Sequence, residues 1–407
     1  MIINKTVAVI GQGYVGLPLS IAAVGAGWKV YGIDIDADKI DFLKAGISYI
    51  EDIADKDLQS ALKLGFIPTL DFEVLSQAEI VVICVPTPLN DDSSTPNLTP
   101  LISAVEKIAE FAITGTLIIN ESTSFPTTVR ELIPTTVRRI KPDLELLFAV
   151  APERVDPGNE KWSYKATPRL VAGLTEEAAQ LAISFYASFC EKVVEVDTPE
   201  VAEFAKLLEN SFRQVNIALV NELAPLARSI GINIFDVIEA AATKPYGFMP
   251  FWPGVGVGGH CIPIDPMYLS WFAREKGMNL TLIDSAQAIN LQQPSRIARL
   301  VSEFTPNLNS KILIIGLAYK SGSKDIRESP SLELLELLEK TYEEVQWWDE
   351  FIESWNGRSR STLSEKFDLV VVTHPVFSEN VLHLLFSAAS IIDCTGTLNP
   401  MKNSTRI

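Results

Sequence analysis

A glycine-rich loop that ends in a cysteine is the stretch of this sequence best suited to covalent chemistry. It runs from Pro253 to Pro266 and reads P-G-V-G-V-G-G-H-C-I-P-I-D-P, with four glycines just before Cys261. Glycines let a backbone approach a ligand closely, and a cysteine becomes a nucleophile where a cation or helix terminus favours its thiolate. His260 is not assigned as the base, since adjacent side chains often point apart. On these residues alone, a buried and unreactive thiol is an equal alternative.

A second glycine pattern, at Gly11, Gly13 and Gly16, lies between an apolar run and the start of a helix. Its glycines would permit a tight turn, the approach of a pyrophosphate and close helix–strand packing. Asp34 ends the next apolar run, where a carboxylate accepts hydrogen bonds from both ribose hydroxyls and repels a 2′-phosphate. The pattern predicts bound NAD rather than NADP. A glycine turn with nothing bound is the alternative.

Two further turns follow predicted strands, at positions where α/β sheets bind ligands. They are Val85-Pro86-Thr87-Pro88 and Glu121-Ser122-Thr123. Thr87, Ser122 and Thr123 are candidates for the lining of a cofactor groove, although ordinary turn residues would give the same sequence.

Alternating strands and helices are predicted to position these motifs. Apolar runs separated by helix-length segments predict a parallel sheet covered on both faces, and they lie at Thr6–Ile10, Val30–Ile33, Glu79–Val85, Thr116–Asn120 and Leu146–Val150. Lys311–Ile315 followed by G-L-A-Y-K repeats the strand-then-glycine signature and begins a second, smaller α/β domain.

A long helical stretch from Pro199 separates these two regions, with apolar residues at spacings of three and four and a stop at Gly231. Pro225 is predicted to kink or divide it near its end. The expected fold class is therefore α/β, with two Rossmann-like doubly wound domains joined by a long central helix. The expected boundaries are 1–198, 199–300 and 301–407, the middle region carrying the catalytic loop and a dimer interface.

Composition limits the class of protein and its partners. The chain has 407 residues, 47% of them hydrophobic, and a formal charge of −17, which predicts a globular protein that binds no nucleic acid. The sequence lacks a signal-peptide pattern and a continuous apolar stretch of membrane-spanning length, so we expect a cytoplasmic protein without membrane contact. Its four cysteines form no C-x-x-C pair, and no metal site is expected.

Seven motifs in order resemble those of the UDP-glucose/UDP-N-acetylhexosamine 6-dehydrogenase family over essentially the whole chain, and most closely its UDP-N-acetylglucosamine 6-dehydrogenase branch. They are GQGYVGLP (11–18), VPTP (85–88), EST (121–123), PERVDPG (152–158), KLLEN (206–210), GGHCIPIDP (258–266) and KSGSKDIRES (320–329). The resemblance implies an enzyme of polysaccharide biosynthesis that oxidises the C6 alcohol of a UDP-sugar to a carboxylate with two NAD⁺, through a cysteine thiohemiacetal and thioester.

The resemblance also implies roles for particular residues. Cys261 would be the nucleophile, Lys206 would stabilise an oxyanion at C6, and Asn210 would hydrogen-bond near that carbon. Asp265 and Glu153 would move protons or position water, with Thr123 holding a water. The cofactor would contact Gly11, Gly13, Tyr14, Val15, Gly16, Asp34, Pro86, Thr87, Ser122, Thr123 and Arg327. The substrate would contact Glu153, Arg154, Lys206, Asn210, Gly258 and Lys320.

Each of these side chains also has an ordinary structural interpretation. Lys206 and Asn210, four residues apart on one helix, would otherwise form a solvated polar stripe. Glu153 would only pair with Arg154, and Asp265 would only cap the turn that follows it.

The sugar is predicted to be UDP-N-acetylglucosamine, with UDP-N-acetylmannosamine and UDP-glucose as alternatives. The glucose branch has an arginine before the glycine loop, where this chain reads Thr243-Lys244-Pro245-Tyr246. The chain departs from the family at Trp348-Asp349-Glu350 and at Cys394–Asn399, so its uridine contacts are expected to differ. A two-electron hydroxyacid or sugar-phosphate dehydrogenase and a catalytically silent nucleotide-sugar sensor are the rival functions. A homodimer or higher homo-oligomer through the long helix is expected.

Overall fold

The structure is a computed structural model that describes residues 5–50, 52–90, 94–155, 162–375, 378–398 and 403–407. Two compact units make up the chain. The first comprises Met1–Glu209 and Trp271–Gly277, and the second Asn210–Ser270 and Met278–Ile407. Among the described helices, none has the length and apolar character needed to cross a membrane.

The first unit is built on strands that alternate with helices. Its elements are β1 (Thr6–Ile10), α1 (Gly16–Gly25), β2 (Lys29–Ile33), α2 (Ala37–Lys44), α3 (Asp55–Leu64), β3 (Phe66–Thr69), a 3₁₀-helix (Phe72–Gln77), β4 (Ile80–Ile83), α4 (Thr99–Phe111), β5 (Leu117–Asn120), a π-helical turn (Thr128–Leu132), α5 (Ile133–Ile140), β6 (Leu147–Val150), β7 (Arg169–Gly173), α6 (Glu176–Ala187), β8 (Val193–Glu195) and the start of α7 (Pro199–Ser229).

The strands of this unit form one sheet in the order β3-β2-β1-β4-β5-β6-β7-β8. All pairs are parallel except β6 with β7. Successive side chains of β1 enter different cores: Val7 and Val9 pack on one face of the sheet, Ala8 and Ile10 on the other. The sheet is therefore covered by helices on both faces, and its order reverses between β1 and β4, the switch point where such sheets bind ligands.

The long helix α7 runs without interruption from Pro199 to Ser229 and contains Pro225. The predicted division of this helix at Pro225 is therefore wrong, and the alternative of a kink there stays a prediction. A proline removes one backbone donor and disturbs the preceding turn, but Pro225 lies only about one turn from the C-terminus. Few helical hydrogen bonds depend on it there, and the helix continues past it.

The second unit contains the rest of α7 and a smaller sheet. Its further elements are α8 (Ile234–Ala242), α9 (Asp265–Glu275, which continues into the first unit), α10 (Thr281–Leu291), α11 (Gln293–Phe304), β9 (Lys311–Ile315), α12 (Pro330–Glu339), β10 (Glu344–Trp348), β11 (Ser354–Trp355), β12 (Arg358–Ser359), β13 (Leu369–Val372), α13 (Glu379–Ser387), β14 (Ser390–Asp393) and β15 (Ser404–Arg406). The main sheet, in the order β10-β9-β13-β14-β15, is parallel throughout.

The α/β class with two Rossmann-like parallel sheets and a long helix between them in the chain is confirmed. As in β1, alternate residues of β9 enter opposite cores, Ile312 and Ile314 in one and Leu313 and Ile315 in the other. Some strands are shorter than the apolar runs that predicted them, whereas β1 and β9 match their runs and β2 begins one residue earlier. The run Glu79–Val85, for example, forms a strand only over Ile80–Ile83.

Candidate active site

The glycine turn after β1 has the geometry of a phosphate cradle. Gly11 has a φ of +92°, and a Cβ on it would lie 2.4 Å from the carbonyl oxygen of Cys84. A Cβ on Gly16 would lie 1.8 Å from the carbonyl oxygen of Gly11, whereas one on Gly13 would meet no atom within 4 Å. Two glycines are therefore required by packing, and the third leaves its backbone open. An open backbone before the N-terminus of α1 suits a pyrophosphate.

Asp34 closes this turn from the end of β2. Its carboxylate accepts hydrogen bonds from the N–H groups of Gln12 (2.8 Å) and Asp36 (3.0 Å), and Lys39 Nζ lies 3.8 Å away. Tyr49, which the sequence did not single out, donates from its hydroxyl to the carbonyl of Gln12. Burial raises the pKa of Tyr49, and the charge of Asp34 acts in the same direction. These residues fit the adenosine ribose of a dinucleotide.

Replacing Gly16 by alanine is expected to weaken NADH binding by at least about tenfold, because the new methyl group must displace the Gly11 carbonyl and open the turn. Titration of NADH fluorescence measures the effect. Gly25→Ala is the matched control, because Gly25 lies in the same helix and a Cβ on it would meet no atom within 4 Å. Normal binding by the Gly16 variant would mean that this turn does not hold the cofactor.

The turns after β4 and β5 are tied to each other. Ser122 donates from its hydroxyl to the carbonyls of Val85 (2.9 Å) and Ile83 (3.3 Å). Thr87 is buried, and Thr123 is half-buried. The Ser122 hydroxyl therefore connects the two turns on the same edge of the sheet as the glycine turn.

A buried ion pair lies under these turns and was missed by the sequence reasoning. Arg169 Nη1 is 3.6 Å from Glu121 Oε2, and both side chains are almost completely buried. Tyr186 (2.6 Å) and Tyr164 (3.2 Å) donate to Glu121 Oε1, while Arg169 also donates to the Pro152 carbonyl at 3.3 Å. Burial raises the pKa of Glu121, against which the Arg169 charge acts. The pair connects the E-S-T turn to the P-E-R segment.

Two cationic side chains hold the P-E-R segment: Lys206 of α7, and Arg154 of the segment itself. Lys206 donates to the carbonyl of Glu153, and its Nζ lies 3.9 Å from Glu153 Oε2. Arg154 binds Glu209 of α7 and donates to the carbonyl of Pro168 at 3.1 Å. Glu153 thus approaches Lys206 while Arg154 pairs with a different carboxylate. Lys206 is buried, so a solvated stripe does not describe it. Residues 156–158 of the PERVDPG motif lie outside the described residues.

The second unit holds Cys261 at the start of a helical turn. The Cys261 carbonyl accepts from the N–H groups of Ile264 (3.2 Å) and Asp265 (2.8 Å). Asp265 begins α9, is buried, and accepts a 2.5 Å hydrogen bond from Asn210 Nδ2. The expected turn between Cys261 and Asp265 is present, and the Asp265 carboxylate binds Asn210 rather than only capping its own helix. Cys261 itself is half-buried.

The glycines before Cys261 pack against the loop that contains Lys320 and Arg327. A Cβ on Gly258 would lie 2.6 Å from the Glu328 carbonyl oxygen, and one on Gly259 would lie 2.7 Å from the ring of Tyr319. Gly259 donates its N–H to the Arg327 carbonyl at 3.1 Å, while the Arg327 guanidinium pairs with Asp325 at 2.5 Å. The absence of side chains at Gly258 and Gly259 thus allows the two loops to touch.

A pocket opens at the carboxyl ends of β9, β10 and β13. Its lining includes Lys320, Ser323, Trp348, Glu350 and His374. Burial lowers the pKa of His374, which keeps its imidazole neutral near pH 7. The Trp348 and His374 rings and one lysine suit a planar base joined to an anionic group, and the carboxylate of Glu350 also lines the pocket.

Two aspartates, Asp349 and Asp393, organise the segments at which the chain departs from the family pattern. Asp349 accepts from the N–H groups of Leu317 (2.7 Å), Ala318 (3.2 Å), Phe351 (2.9 Å) and Ile352 (3.2 Å). Asp393 organises the other departing segment by accepting from three backbone N–H groups, those of Thr395, Gly396 and Leu398. Asn399 lies outside the described residues.

These features define a dehydrogenase with a dinucleotide turn in one unit and a cysteine turn in the other. Comparison with protein families shows that the chain belongs to the UDP-glucose/GDP-mannose dehydrogenase family. Its NAD binding domain matches residues 5–190, its central domain residues 200–292 and its UDP binding domain residues 313–400. The chain is an NAD-dependent UDP-sugar dehydrogenase, as the family resemblance of its motifs predicted.

Individual relatives differ in the sugar that their names give. A UDP-N-acetyl-D-mannosamine dehydrogenase of Pyrococcus horikoshii is 36% identical, over 91% of this chain and 90% of its own. A UDP-N-acetyl-D-glucosamine 6-dehydrogenase of Pseudomonas aeruginosa is 32% identical over 85% of this chain and 83% of its own. The solved structure of UDP-D-ManNAc dehydrogenase from P. horikoshii superposes with a TM-score of 0.89 at 34% identity, covering 98% of both chains.

Proposed function

We propose that this enzyme oxidises the C6 hydroxyl of a UDP-N-acetylhexosamine to a carboxylate, with Cys261 as covalent nucleophile. The observation that carries the proposal is the turn in which Cys261 lies four residues before Asp265, whose carboxylate is bound to Asn210. A nucleophile held in a fixed turn is what a two-stage oxidation needs, since the aldehyde must be held between stages.

The proposed chemistry balances over two oxidations. NAD⁺ supplies the oxidising power by accepting one hydride in each stage. In the first stage the C6 alcohol loses a hydride and a proton and becomes an aldehyde, to which the Cys261 thiol adds to give a thiohemiacetal. The thiohemiacetal loses a second hydride and a proton to become a thioester. Water then cleaves the C–S bond, which releases the carboxylic acid and restores the thiol.

The other motif residues are assigned supporting roles. Lys206, whose ammonium is buried, would stabilise oxyanion character at C6. Glu153 and Asp265 would exchange protons or orient water, and Thr123 would hold a water. Asn210 would hydrogen-bond near C6 while its amide is positioned by Asp265.

Binding roles complete the assignment. In addition to the glycine turn and Asp34, we assign cofactor contacts to Tyr14, Val15, Pro86, Thr87, Ser122, Thr123 and Arg327. We assign the uridine diphosphate to the pocket that Lys320 lines, because a base and a diphosphate match its aromatic lining and its lysine. Arg154 and Gly258 are assigned to the substrate as well. We also propose that the three domains of the chain meet between residues 198 and 199 and between residues 300 and 301.

Among the sugars we favour UDP-N-acetylmannosamine and keep UDP-N-acetylglucosamine as the second candidate. The names of relatives at 34–36% identity support the first, and that of one at 32% supports the second. The order is the reverse of the one expected from the motifs. The two sugars are epimers at C2 and present the same C6 alcohol, so motifs around C6 do not separate them.

An NADH-absorbance assay with the three UDP-sugars side by side tests the proposed function. We expect two NADH per sugar and an acidic product, with the highest kcat/KM for an N-acetylated substrate. One NADH per sugar would indicate a two-electron dehydrogenase instead. Binding of UDP-sugar without NADH formation from any of the three would indicate a silent nucleotide-sugar sensor.

We also propose that α7 pairs with a second copy of this chain. Phe212, Leu219, Leu223 and Leu226 are 40–58% exposed, and their spacings of seven, four and three place them on one face of the helix. The double substitution Leu223→Glu/Leu226→Glu is expected to convert the oligomer to a monomer in analytical ultracentrifugation. Leu308→Glu, at a residue 56% exposed elsewhere, is the control. An unchanged sedimentation coefficient for the double variant would place the interface on another surface.

A further inference from the structure

Four amide side chains, three of them buried and one half-buried, form a chain of hydrogen bonds that ends on both sides of Cys261. Gln214 and Asn221 belong to α7, and Gln287 and Asn290 to α10. Gln214, Asn221 and Asn290 are at most 2% exposed. Buried amides are costly unless their hydrogen bonds are made, so a connected set of them is a strong geometric constraint.

One branch leads from the beginning of the glycine loop. Gly254 donates its N–H to Asn221 Oδ1 at 2.9 Å, and Asn221 Nδ2 donates to Asn290 Oδ1 at 3.0 Å. Asn290 Nδ2 in turn donates to the main-chain carbonyl of Gln214 at 3.1 Å. Three hydrogen bonds thus connect the loop to the backbone of α7.

The other branch leads from the residues after Cys261. Gln287 Nε2 donates to the Pro263 carbonyl at 3.4 Å, and its Oε1 accepts from Gln214 Nε2. Asn290 also contacts the loop through its backbone, since a Cβ on Gly256 would lie 3.2 Å from the Asn290 carbonyl oxygen. Gln214 is therefore the common end of both branches.

We propose that this amide chain positions the Cys261 turn for attack, with Asn221 and Asn290 as positioning residues that do not touch the substrate. Gly254 lies seven residues before Cys261 and Pro263 two residues after it, so the chain fixes both sides of the turn. A glycine loop has little stiffness of its own because its residues lack side chains. The amides of α7 and α10 hold the loop in position instead. The inference rests on the proposed role of Cys261.

The test replaces the central pair by apolar residues of similar size. Asn221→Leu/Asn290→Leu removes both amides together, which limits the cost of leaving one buried partner unsatisfied. We expect kcat to fall about 10- to 100-fold with KM changed by less than about threefold, since small misplacements of a reacting group have effects of this size. Gln293→Leu, which removes a buried amide outside the chain, is the control.

Hydrogen exchange provides a readout that does not depend on turnover. We expect the amides of residues 253–263 to exchange faster in the double variant, while NADH affinity and exchange in the first unit stay unchanged. The single variant Asn290→Asp should have the same effect on exchange, because it replaces the donor that faces the Gln214 carbonyl. Unchanged loop exchange with unchanged kcat would overturn the inference. So would an equal increase in exchange throughout the second unit, which indicates a purely structural role. Absence of UDP-sugar oxidation by the wild-type enzyme would contradict the proposed function instead, and the exchange result would still be obtained.

Discussion

Cys261→Ser is expected to bind NADH and UDP-sugar with near-normal affinity and to form uronic acid on the order of 10³-fold more slowly, or not at all. A serine hydroxyl is a much weaker nucleophile than a thiolate near neutral pH. The carbonyl-level intermediate is then not captured, so the second oxidation fails while the binding groups remain. Isothermal titration with each ligand and steady-state NADH formation separate binding from turnover.

A second cysteine variant controls for loss of a thiol as such. Cys190→Ala removes a buried thiol of the first unit, and we expect this variant to turn over at the wild-type rate. Near-normal uronic acid production by Cys261→Ser would remove Cys261 from the mechanism. The same conclusion would follow if the two variants lost activity equally.

Arg169→Met is expected to lower the free energy of unfolding by about 3–5 kcal/mol, the usual effect of removing one partner of a buried ion pair. Glu121 would remain in a site closed to water, with no cation beside it, and the Pro152 carbonyl would lose a donor. Urea denaturation of the full chain measures the change. The variant should also lose activity, because the E-S-T turn and the P-E-R segment lose their connection.

Two matched variants distinguish a buried charge from ordinary packing. Arg169→Met/Glu121→Gln removes both charges and keeps an acceptor for Tyr186 and Tyr164, so it should recover most of the lost stability. Arg130→Met removes the partner of Glu200 at an exposed site, where an ion pair is worth less than about 1 kcal/mol. If the buried and exposed substitutions had similar effects, charge burial would not explain the role of Arg169.

The glycine turn and its acidic partner were predictable because the information is local. Gly11, Gly13 and Gly16 lie within six residues, and the strand that ends at Asp34 is the next along the chain. Their spacing alone fixes where the backbone must turn and where a carboxylate must lie. The alternation of apolar runs likewise predicted the parallel sheets, since each strand needs two covered faces.

The buried ion pair and the amide chain could not be predicted in the same way. Glu121 and Arg169 are 48 residues apart, and Asn221 and Asn290 are 69 apart, so only tertiary packing brings them together. A buried arginine has the same sequence signature as an exposed one. At Pro225 a local rule failed, because the rule predicts that a proline divides a helix and this helix continues to Ser229.

The two carboxylates at the ends of β2 and β10 show how one architecture serves two ligands. Asp34 and Asp349 each follow the second strand of a parallel sheet. Asp34 accepts two backbone hydrogen bonds, which leaves about two of the four acceptor positions of a carboxylate for further donors. Asp349 accepts four, all from its own unit, and has none left. Backbone N–H groups of the second unit thus occupy the carboxylate whose counterpart in the first unit keeps acceptor positions open.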